Sequence, residues 1–566
     1  MAINILSVAL LHRCLVPSLV LLAAVGVVRA EDGEVLPRLA PTVGEYLKSD
    51  YYDQTRFHPR IMVERALRAL ETSEVSIDTA WKDDVITLTM TTVVKQIPAK
   101  EPKDIDEAMA LVEVVRLALD TAPGLTKERK RDLGYALVNG TLAALDPHTV
   151  LMPPEPAREF SEDIRGEFYG IGAFLNQDEG VITIERVMPG LPAEKADVQD
   201  GDIILGIDGE KTAGLSLEQA VRRIKGPKGT TVTLTVERKS SPAPVDIPVT
   251  RDLVQVITMR AKRVGDVGYV RMDEFNANTF RSLCKDILDL QKPGPMKAFV
   301  LDLRFNGGGL LDQARLISDI FLPKGEEIVR TVTADGQPQI YKSSARQLLD
   351  VPMAILTSGG SASAAEILSG ALQRDERAVI VGSTTFGKGS VQTIKDLGDG
   401  SRLKLTIQEY QLPGGVSIQD VGVTPDLRLI QHTVRKDGVI DLVPFTNQRE
   451  EDDEFALVNT HLYEHSAALE LGWLSHFQER ETLKKSAISA RDFVPDQEAS
   501  LVIDLVGQAV AGGDDVVAAA EQASKVRGLR KFLIDQLKAP VGARAEIEST
   551  ALATALAGRA PAVAWG

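Results

Sequence analysis

The amino-acid sequence predicts a multidomain protein of the α/β and α+β classes. Its 566 residues are too many for one hydrophobic core, and about three or four domains are expected at this length. Short apolar strands alternate with helical segments over 255–430, which is typical of a layered α/β domain. Near residue 165 the pattern changes from helical periodicity to short strands separated by glycine turns. We therefore expect an α/β core, a β-rich domain before it, and helical regions at both ends.

The first thirty residues predict an export signal. The apolar run CLVPSLVLLAAVGVV is too short to span a membrane comfortably, and small residues ending at Ala30 follow it. We expect cleavage after Ala30; an uncleaved segment would instead hold the chain at a membrane. Cys14 would leave with the signal, so that Cys284 would be the one cysteine of the mature chain. Export without an internal disulfide indicates a bacterial periplasm or similar cell-envelope space.

Residues 31–160 are predicted to be mainly helical. MVERALRALE and AMALVEVVRLAL repeat apolar residues every three or four positions, whereas VITLTMTTVV between them alternates like a strand. The region closes with LDPHT, a turn after a helix. Residues 165–252 then combine alternating strands with a small helix at PAEKA and an amphipathic helix at SLEQAVRRIKG, so we expect a compact module.

The region 255–430 carries the α/β pattern, and the region 431–566 carries no recognisable chemistry. The predicted core strands are GDVGYVRM, KAFVLDLR, VPMAILTS and RAVIVG, and the predicted helices are FRSLCKDILDLQ, LDQARLISDIFL and AAEILSGALQR. After 431 the sequence is mainly helical, and its acidic run REEDDEF is predicted to be a solvated face.

Charge and histidine content exclude several classes of function. The formal net charge of −16 argues against nucleic-acid binding, which needs basic patches. None of the seven histidines lies within 255–430, which disfavours a Ser-His-Asp triad in the core. His461 and His465 are spaced like two ligands on a helix face, but no H-E-x-x-H pattern surrounds them. We therefore expect no metal site.

The stretch SGGSASAAEILSGAL, residues 358–372, allows two interpretations. Ser363-Ala-Ala-Glu366 fits a capping box, in which serine and glutamate satisfy N–H groups at a helix start. The same serine is also a candidate nucleophile, provided that another residue accepts its proton. The stretch by itself does not decide between the cap and the nucleophile.

Lys388 is the candidate proton acceptor. It lies in the glycine-flanked segment GSTTFGKGSVQ after the strand RAVIVG, with Phe386 as a candidate apolar wall. Burial among apolar groups disfavours the ammonium form and lowers the pKa of a lysine, so that the amine can act as a base. Gln392 follows four residues later, on the same face of a helix or a strand, where its amide would orient the amine.

Two motifs suggest other chemistry and are less consistent with their contexts. Gly382-x-x-x-x-Gly387-Lys388 resembles a nucleotide-binding P-loop, but Gly389 stands where Ser or Thr is needed, and the following sequence predicts a hairpin. Ser282-x-x-Lys285 has the spacing of penicillin-binding enzymes but lies in an amphipathic helix without a K-T-G partner. We expect no cofactor.

The glycine-rich turn LRFNGGGLL follows a strand and opens a helix. Its glycines would let the backbone approach a substrate, and backbone N–H groups are good donors to a developing oxyanion. The N–H of Ala364, at the neighbouring helix start, would be a second donor. A turn that only connects two elements remains the alternative.

Three stretches together resemble the carboxyl-terminal processing peptidases. They are DLRFNGGGLLDQARLISDIFL, GGSASAAEILSGALQRDERAVIVGSTTFGKGSVQ and LKLTIQEYQLPGGVSIQDVGVTPD; with LDPHT and YGIGA, the likeness runs from about 130 to 427. Members are serine endopeptidases with a Ser-Lys dyad that cut exported proteins near their C-termini. The resemblance implies a ClpP/crotonase-like α/β core at 255–430 and an inserted PDZ domain at 165–252.

The resemblance also implies roles for particular residues. Ser363 would be the nucleophile and Lys388, 25 residues later, its base. Gln392 would orient the lysine, and Gly308 and Ala364 would donate to the oxyanion. Two departures stand out: the chain has Phe305-Asn306-Gly307-Gly308-Gly309 where the family often has Asn-Asn-Pro-Gly-Gly, and Arg374, followed by Asp375, where some members have an aspartate.

The implied PDZ domain gives C-terminal recognition a physical basis. Such a domain captures a carboxylate on the N–H groups of its loop, which here would be formed by Tyr169, Gly170, Ile171, Gly172 and Ala173. Protein substrates would therefore bind through their C-terminal tails. A homo-oligomer and an adaptor protein are further partner classes left open. The alternative to an exported endopeptidase is a non-catalytic PDZ scaffold that keeps the peptidase fold.

Overall fold

The computed structural model describes residues 38–344, 347–434, 440–442, 449–457, 465–475, 493–512 and 522–538. The predicted signal at 1–30 and its cleavage site lie outside these residues, as does His461. Within the described parts of the chain, no helix is both long and apolar enough to cross a membrane.

The N-terminal region combines five helices with a small antiparallel sheet. The helices are α1 (Leu39–Asp50), α2 (Pro59–Ser73), α3 (Ile105–Leu119), α4 (Lys127–Leu142) and α5 (Pro154–Arg165), and the strands are β1 (Ile77–Lys82), β2 (Val85–Met90), β3 (Val93–Pro98) and β4 (Val150–Met152). The stretch predicted as one strand, VITLTMTTVV, is the hairpin of β2 and β3, because Thr91 turns the chain with a φ of 47°. The predicted helical periodicity is confirmed in α2 and α3.

The β-rich region is built as a sheet whose order is β11-β10-β8-β7-β6. Its elements are β5 (Glu167–Gly170), β6 (Ala173–Asp178), β7 (Val181–Val187), α6 (Pro192–Lys195), β8 (Ile203–Ile207), β9 (Glu210–Lys211), α7 (Leu217–Ile224), β10 (Thr231–Glu237), β11 (Val245–Thr250) and β12 (Asp252–Gln255). Strand β12 pairs with β5, so the first and last strands of the region lie side by side. The predicted small helix and amphipathic helix are α6 and α7.

The following region contains a mostly parallel sheet of order β13-β14-β15-β18-β19-β23-β24 and a second, antiparallel sheet of order β17-β16-β21-β20. The elements are β13 (Met259–Val264), β14 (Val267–Met272), α8 (Thr279–Leu290), β15 (Ala298–Asp302), α9 (Leu311–Asp319), β16 (Glu327–Thr333), β17 (Pro338–Lys342), β18 (Met353–Thr357), α10 (Ala364–Arg374), β19 (Val379–Gly382), β20 (Ser390–Asp396), β21 (Arg402–Leu412), β22 (Val416–Ser417), β23 (Leu427–Val434) and β24 (Ile440–Leu442). The hairpin predicted after Lys388 is formed by β20 and β21.

Strand β4 joins the N-terminal region to the second sheet. It pairs antiparallel with β21, with Leu151 opposite Leu403. Leu403 and Leu405 of β21 are fully buried in the same apolar cluster as the N-terminal helices. The N-terminal region therefore packs directly on the sheet that carries the sequence after Lys388.

The C-terminal region covers one face of the main sheet. Its elements are β25 (Leu469–Ser475), α11 (Gln497–Gly512) and α12 (Gln522–Lys538). Side chains of a strand alternate between faces, so Phe299 packs with α8 to α10 while Val300 packs with α11 and α12. Burial of an apolar face explains why these helices form.

Most of the acidic residues in the run REEDDEF are exposed, as their charge predicts, and Glu450 is the exception. Glu450 is only 1% exposed, and its backbone N–H donates to the carbonyl of Phe386 at 3.2 Å. Arg56 and Arg65 of the N-terminal region bond to the same segment, 449–457. The prediction is wrong for Glu450 alone, because side-chain bonds from His148 at 2.8 Å and Gln419 at 3.0 Å compensate the burial of its charge.

We predict that Leu529→Ala lowers the free energy of unfolding by about 2–5 kcal/mol, because it removes a fully buried side chain between α12 and the sheet. Denaturant unfolding measures the change. Leu288→Ala, at a leucine that is 55% exposed on α8, is the control and costs far less. Equal losses in the two variants would contradict the packing of α12 on the sheet.

Candidate active site

Ser363 lies at a sharp turn between strand β18 and helix α10. Its backbone has φ 54° and ψ −112°, a conformation that a residue with a side chain rarely adopts. The next residue, Ala364, opens α10, so Ser363 stands at the positive end of the helix dipole. The predicted capping box with Glu366 is present, and Glu366 Oε2 accepts from the Ser363 N–H at 2.7 Å.

The other serines of the segment serve the fold. Ser361 Oγ donates to the carbonyl of Leu303 at 2.7 Å, and Ser369 Oγ donates to the carbonyl of Ala365 at 2.8 Å. Ser358 Oγ accepts from the N–H of Phe305 at 3.0 Å. The bonds of Ser358 and Ser361 hold the Ser363 turn against the glycine-rich turn, whereas the bond of Ser369 lies within α10.

Glu366 connects Ser363 to the loop that carries Lys388. Its side chain is fully buried and accepts four hydrogen bonds. Oε2 accepts from the N–H groups of Ser363 at 2.7 Å and Lys388 at 3.0 Å, and Oε1 accepts from Thr385 Oγ1 at 2.5 Å and from the N–H of Gly387 at 2.7 Å. Burial raises the pKa of this carboxyl to about 7, although the four hydrogen bonds favour the charged form.

The shared oxygen fixes the distance between the two candidate residues. Because Ser363 and Lys388 both donate to Oε2, their backbone nitrogens lie within about 6 Å of each other. Tyr410 adds a second connection, since its hydroxyl bonds to the carbonyl of Ser363 at 3.2 Å and to the carbonyl of Lys388. The structure therefore brings together two residues that the sequence separates.

The amine of Lys388 is held by the neighbouring strand. Nζ donates to Gln392 Oε1 at 2.7 Å and to the carbonyl of Ser390 at 3.2 Å. Burial, together with the positive charge of Lys404, lowers the pKa of Lys388 to about 8. Among the described residues no hydrogen bond joins this amine to Ser363, and such bonds are often absent without substrate.

The glycine-rich turn lies directly against Ser363. A methyl group placed on Gly308 would come within 2.8 Å of Ser363 Cβ and 3.0 Å of Ala364 N, so only glycine fits there. The N–H of Gly308 donates to Asn306 Oδ1 at 2.9 Å and is thus occupied in this structure. The N–H of Ala364 has no acceptor in the described parts of the chain.

The structure does not support the alternative motifs. Lys388 is followed by strand β20, not by the helix that a P-loop requires. Lys285 is exposed on α8 and pairs with Asp289 at 2.7 Å. Asp375 lies at the far end of α10, an 11-residue helix that spans about 16 Å, so it does not contact Ser363.

The loop predicted to bind carboxylates connects β5 to β6. Tyr169 and Gly170 end β5, and Ala173 begins β6. The carbonyls of Ile171 and Gly172 accept from the N–H groups of Ala193 at 2.7 Å and Met188 at 3.0 Å. In the described parts of the chain, the N–H groups of Ile171 and Gly172 have no acceptor.

Three residues of the site were missed as functional candidates by the sequence reasoning. Glu366 was predicted only as a helix cap, although a fully buried glutamate needs more donors than a cap supplies. Asn306 was visible in the glycine-rich turn, but its bond to Gly308 depends on the turn conformation. Tyr410 gives no local signal, since strand pairing alone brings it to Ser363.

Two models of known protein families match this chain. The family model "Peptidase family S41" matches residues 266–429, and the model "PDZ domain" matches residues 160–237. The structure and these two matches define a peptidase of the S41 class that carries a PDZ domain.

Relatives make the assignment more specific. A carboxy-terminal-processing protease of Bartonella bacilliformis is 42% identical over 51% of this chain and 68% of its own length. A carboxyl-terminal-processing protease of Picosynechococcus is 38% identical over 53% of this chain and 73% of its own length. A solved photosystem II D1 C-terminal processing protease is 26% identical over 66% of this chain and 93% of its own, with a TM-score of 0.34.

The chain belongs to the carboxy-terminal processing proteases of peptidase family S41. It is a serine protease with a PDZ domain, as the sequence predicted.

We predict that proteolysis by this chain increases with pH and levels off above about 8, because the predicted base, Lys388, would accept a proton only as the neutral amine. The pH dependence of kcat/KM on an unstructured protein substrate measures this rise, the acid limb of the profile. Lys292→Gln, at a lysine whose side chain is 75% exposed, leaves the profile unchanged. A limb near pH 6.5, the ordinary range of histidine, would contradict a lysine base.

Proposed function

We propose that this protease is an exported endopeptidase in which Ser363 and Lys388 form the catalytic dyad. The observation that carries the proposal is the single Glu366 oxygen that accepts hydrogen bonds from both residues. It fixes a nucleophile and a lysine of lowered pKa in one site. A role for Ser363 as a helix cap is compatible with a role as the nucleophile, because the capping glutamate itself binds the Lys388 loop.

In the proposed reaction, the neutral amine of Lys388 takes the proton of Ser363 Oγ as this oxygen attacks the substrate carbonyl. The N–H groups of Ala364 and Gly308 donate to the oxyanion, which requires Gly308 to release Asn306. The protonated lysine gives its proton to the leaving amine, and a water molecule then hydrolyses the acyl-enzyme by the same steps. Gln392 orients the amine throughout.

The PDZ loop is proposed to select protein C-termini. The N–H groups of Ile171 and Gly172 lack acceptors, while the carbonyls of these residues are bonded inside the module. A free carboxylate would occupy two such donors, whereas an internal peptide would not. Substrate chains would then reach Ser363 by their C-terminal segments.

Export and domain organisation complete the proposal. The apolar segment before Ala30 supports a cell-envelope location, with cleavage of the signal. We propose the functional division as a helical N-terminal region (31–160), a PDZ domain (165–252), a peptidase core (255–430) and a C-terminal region (431–566). The last of these supplies packing for the core, since α11 and α12 cover its sheet.

We predict that Ser363→Ala and Lys388→Ala each reduce proteolysis by at least about 10³-fold, because each removes an essential proton-transfer partner. Cleavage of an unstructured protein and labelling by a serine-reactive probe measure the effect. Ser282→Ala and Lys285→Ala, the pair of identical residue types on α8, are the controls and retain activity. Cleavage by both dyad variants at the wild-type rate would refute the mechanism.

We predict that a protein substrate with an amidated C-terminus is cleaved with a KM higher by about 10- to 100-fold, because it loses a charged acceptor for the PDZ loop. Steady-state kinetics on matched free-acid and amide substrates give the ratio. Acetylation of the substrate N-terminus is the control and leaves KM unchanged. Equal KM values for acid and amide would contradict carboxylate capture.

A further inference from the structure

The LDPHT turn of the N-terminal region reaches the proposed active site. Its aspartate, Asp146, is fully buried. Oδ1 accepts from the backbone N–H groups of His148 at 2.8 Å and Thr149 at 2.9 Å, and Oδ2 accepts from Thr149 Oγ1 at 2.6 Å. These bonds close the turn and leave Asp146 facing strand β21.

A chain of hydrogen bonds continues from Asp146 to the lysine. Thr406 Oγ1 donates to Asp146 Oδ1 at 3.0 Å. Gln392 Nε2 donates to Thr406 Oγ1 at 3.2 Å, and Lys388 Nζ donates to Gln392 Oε1 at 2.7 Å. Gln392 and Thr406 are direct partners in the register of β20 and β21, so their side chains meet across the strands.

The donors and acceptors in this series of hydrogen bonds are fixed. A carboxylate only accepts, so the hydroxyl hydrogen of Thr406 points to Asp146 and its oxygen is left to accept from Gln392. The amide nitrogen of Gln392 therefore faces Thr406 and also donates to Ser390 Oγ at 2.9 Å, and its oxygen faces Lys388. A flipped amide would place N–H groups against the ammonium, which disfavours the charged lysine.

Thr406 itself is held on three sides. Its N–H donates to Thr149 Oγ1 at 3.2 Å, and its carbonyl accepts from the N–H of Tyr52 at 3.0 Å. Strand β4 pairs with β21 two residues away, with Val150 opposite Lys404. The N-terminal region therefore determines where the threonine hydroxyl points.

We propose that Asp146 and Thr406 are positioning residues that fix the amide of Gln392 so that its oxygen holds the amine of Lys388 toward Ser363. The inference rests on the proposed dyad and extends the site from Ser363, Lys388 and Gln392 to five residues. It gives the LDPHT motif a function in the reaction.

The test compares Thr406→Val, which keeps shape and removes the hydroxyl, with Thr406→Ser, which restores it. We expect Thr406→Val to lower kcat by about 10- to 100-fold with little change in KM, because the base is misoriented and substrate binding is untouched. Thr406→Ser retains most of the wild-type kcat. Thr331→Val is the control: Thr331 is buried on strand β16, and its hydroxyl has no partner in the described parts of the chain.

The pH profile separates positioning from a structural effect. The charged groups around Lys388 are Lys404, Glu450, Glu366 and Asp146. Thr406→Val removes one of the two acceptors of the Gln392 amide nitrogen and so weakens its preference for the observed orientation. Asp146→Asn removes a negative charge while Oδ1 still accepts. Both changes disfavour the ammonium, so we expect the acid limb of kcat/KM to move to lower pH in both variants.

The inference is wrong if folded Thr406→Val shows the kcat and the acid limb of Thr331→Val. If Thr406→Val does not fold, as judged by thermal unfolding, Thr406→Ala, which also lacks the hydroxyl, gives the same decision: a wild-type kcat with an unshifted limb refutes the inference. Failure of the dyad is recognised separately, because Ser363→Ala would then remain active. An inactive Ser363→Ala beside a fully active Thr406→Val would leave the proposed function intact and refute only the positioning role.

Discussion

The buried carboxylate of Glu366 is the interaction on which the site depends. It joins the turn before α10 to the loop before β20, two segments that belong to different sheets. A buried carboxyl without donors would cost several kcal/mol, and here four donors from both loops satisfy it. The strained backbone of Ser363 is tolerated for the same reason, since both the N–H and the carbonyl of this residue are bonded.

The charge of Lys388 reflects a balance between regions of the chain that are far apart in sequence. Lys404 of β21 disfavours its ammonium, whereas Glu450 and Asp146 favour it. Glu450 is itself held by His148 at 2.8 Å and by Gln419 at 3.0 Å, and Gln419 also accepts from the N–H of Gly389 at 2.8 Å. The segment after 449 and the LDPHT turn thus meet beside the lysine loop.

Much of the fold could be predicted from the sequence, because local patterns carry it, whereas the proposed Ser-Lys pair rested also on the family resemblance. Glycine turns and strand alternation are local signals of secondary structure. The spacing from Ser363 to Gln392 is a pattern along the sequence that the resembled family shares. Tertiary packing determines three features that the sequence did not reveal: the burial of Glu450, the bond between Asn306 and Gly308, and the placement of Tyr410. In each case a residue that is ordinary in its local context acquires its partner from a distant strand or turn.

The pairing of β4 with β21 bears on when the support of the lysine forms during folding. Asp146 and Thr406 are separated by 260 residues, so their contact closes late and carries a high loop-closure cost. A growing chain that ends before Thr406 already contains Ser363 and Lys388, but it lacks the strand that supports the lysine. Strand β21 thus follows both proposed catalytic residues along the chain and supplies the support of the lysine only once it is paired.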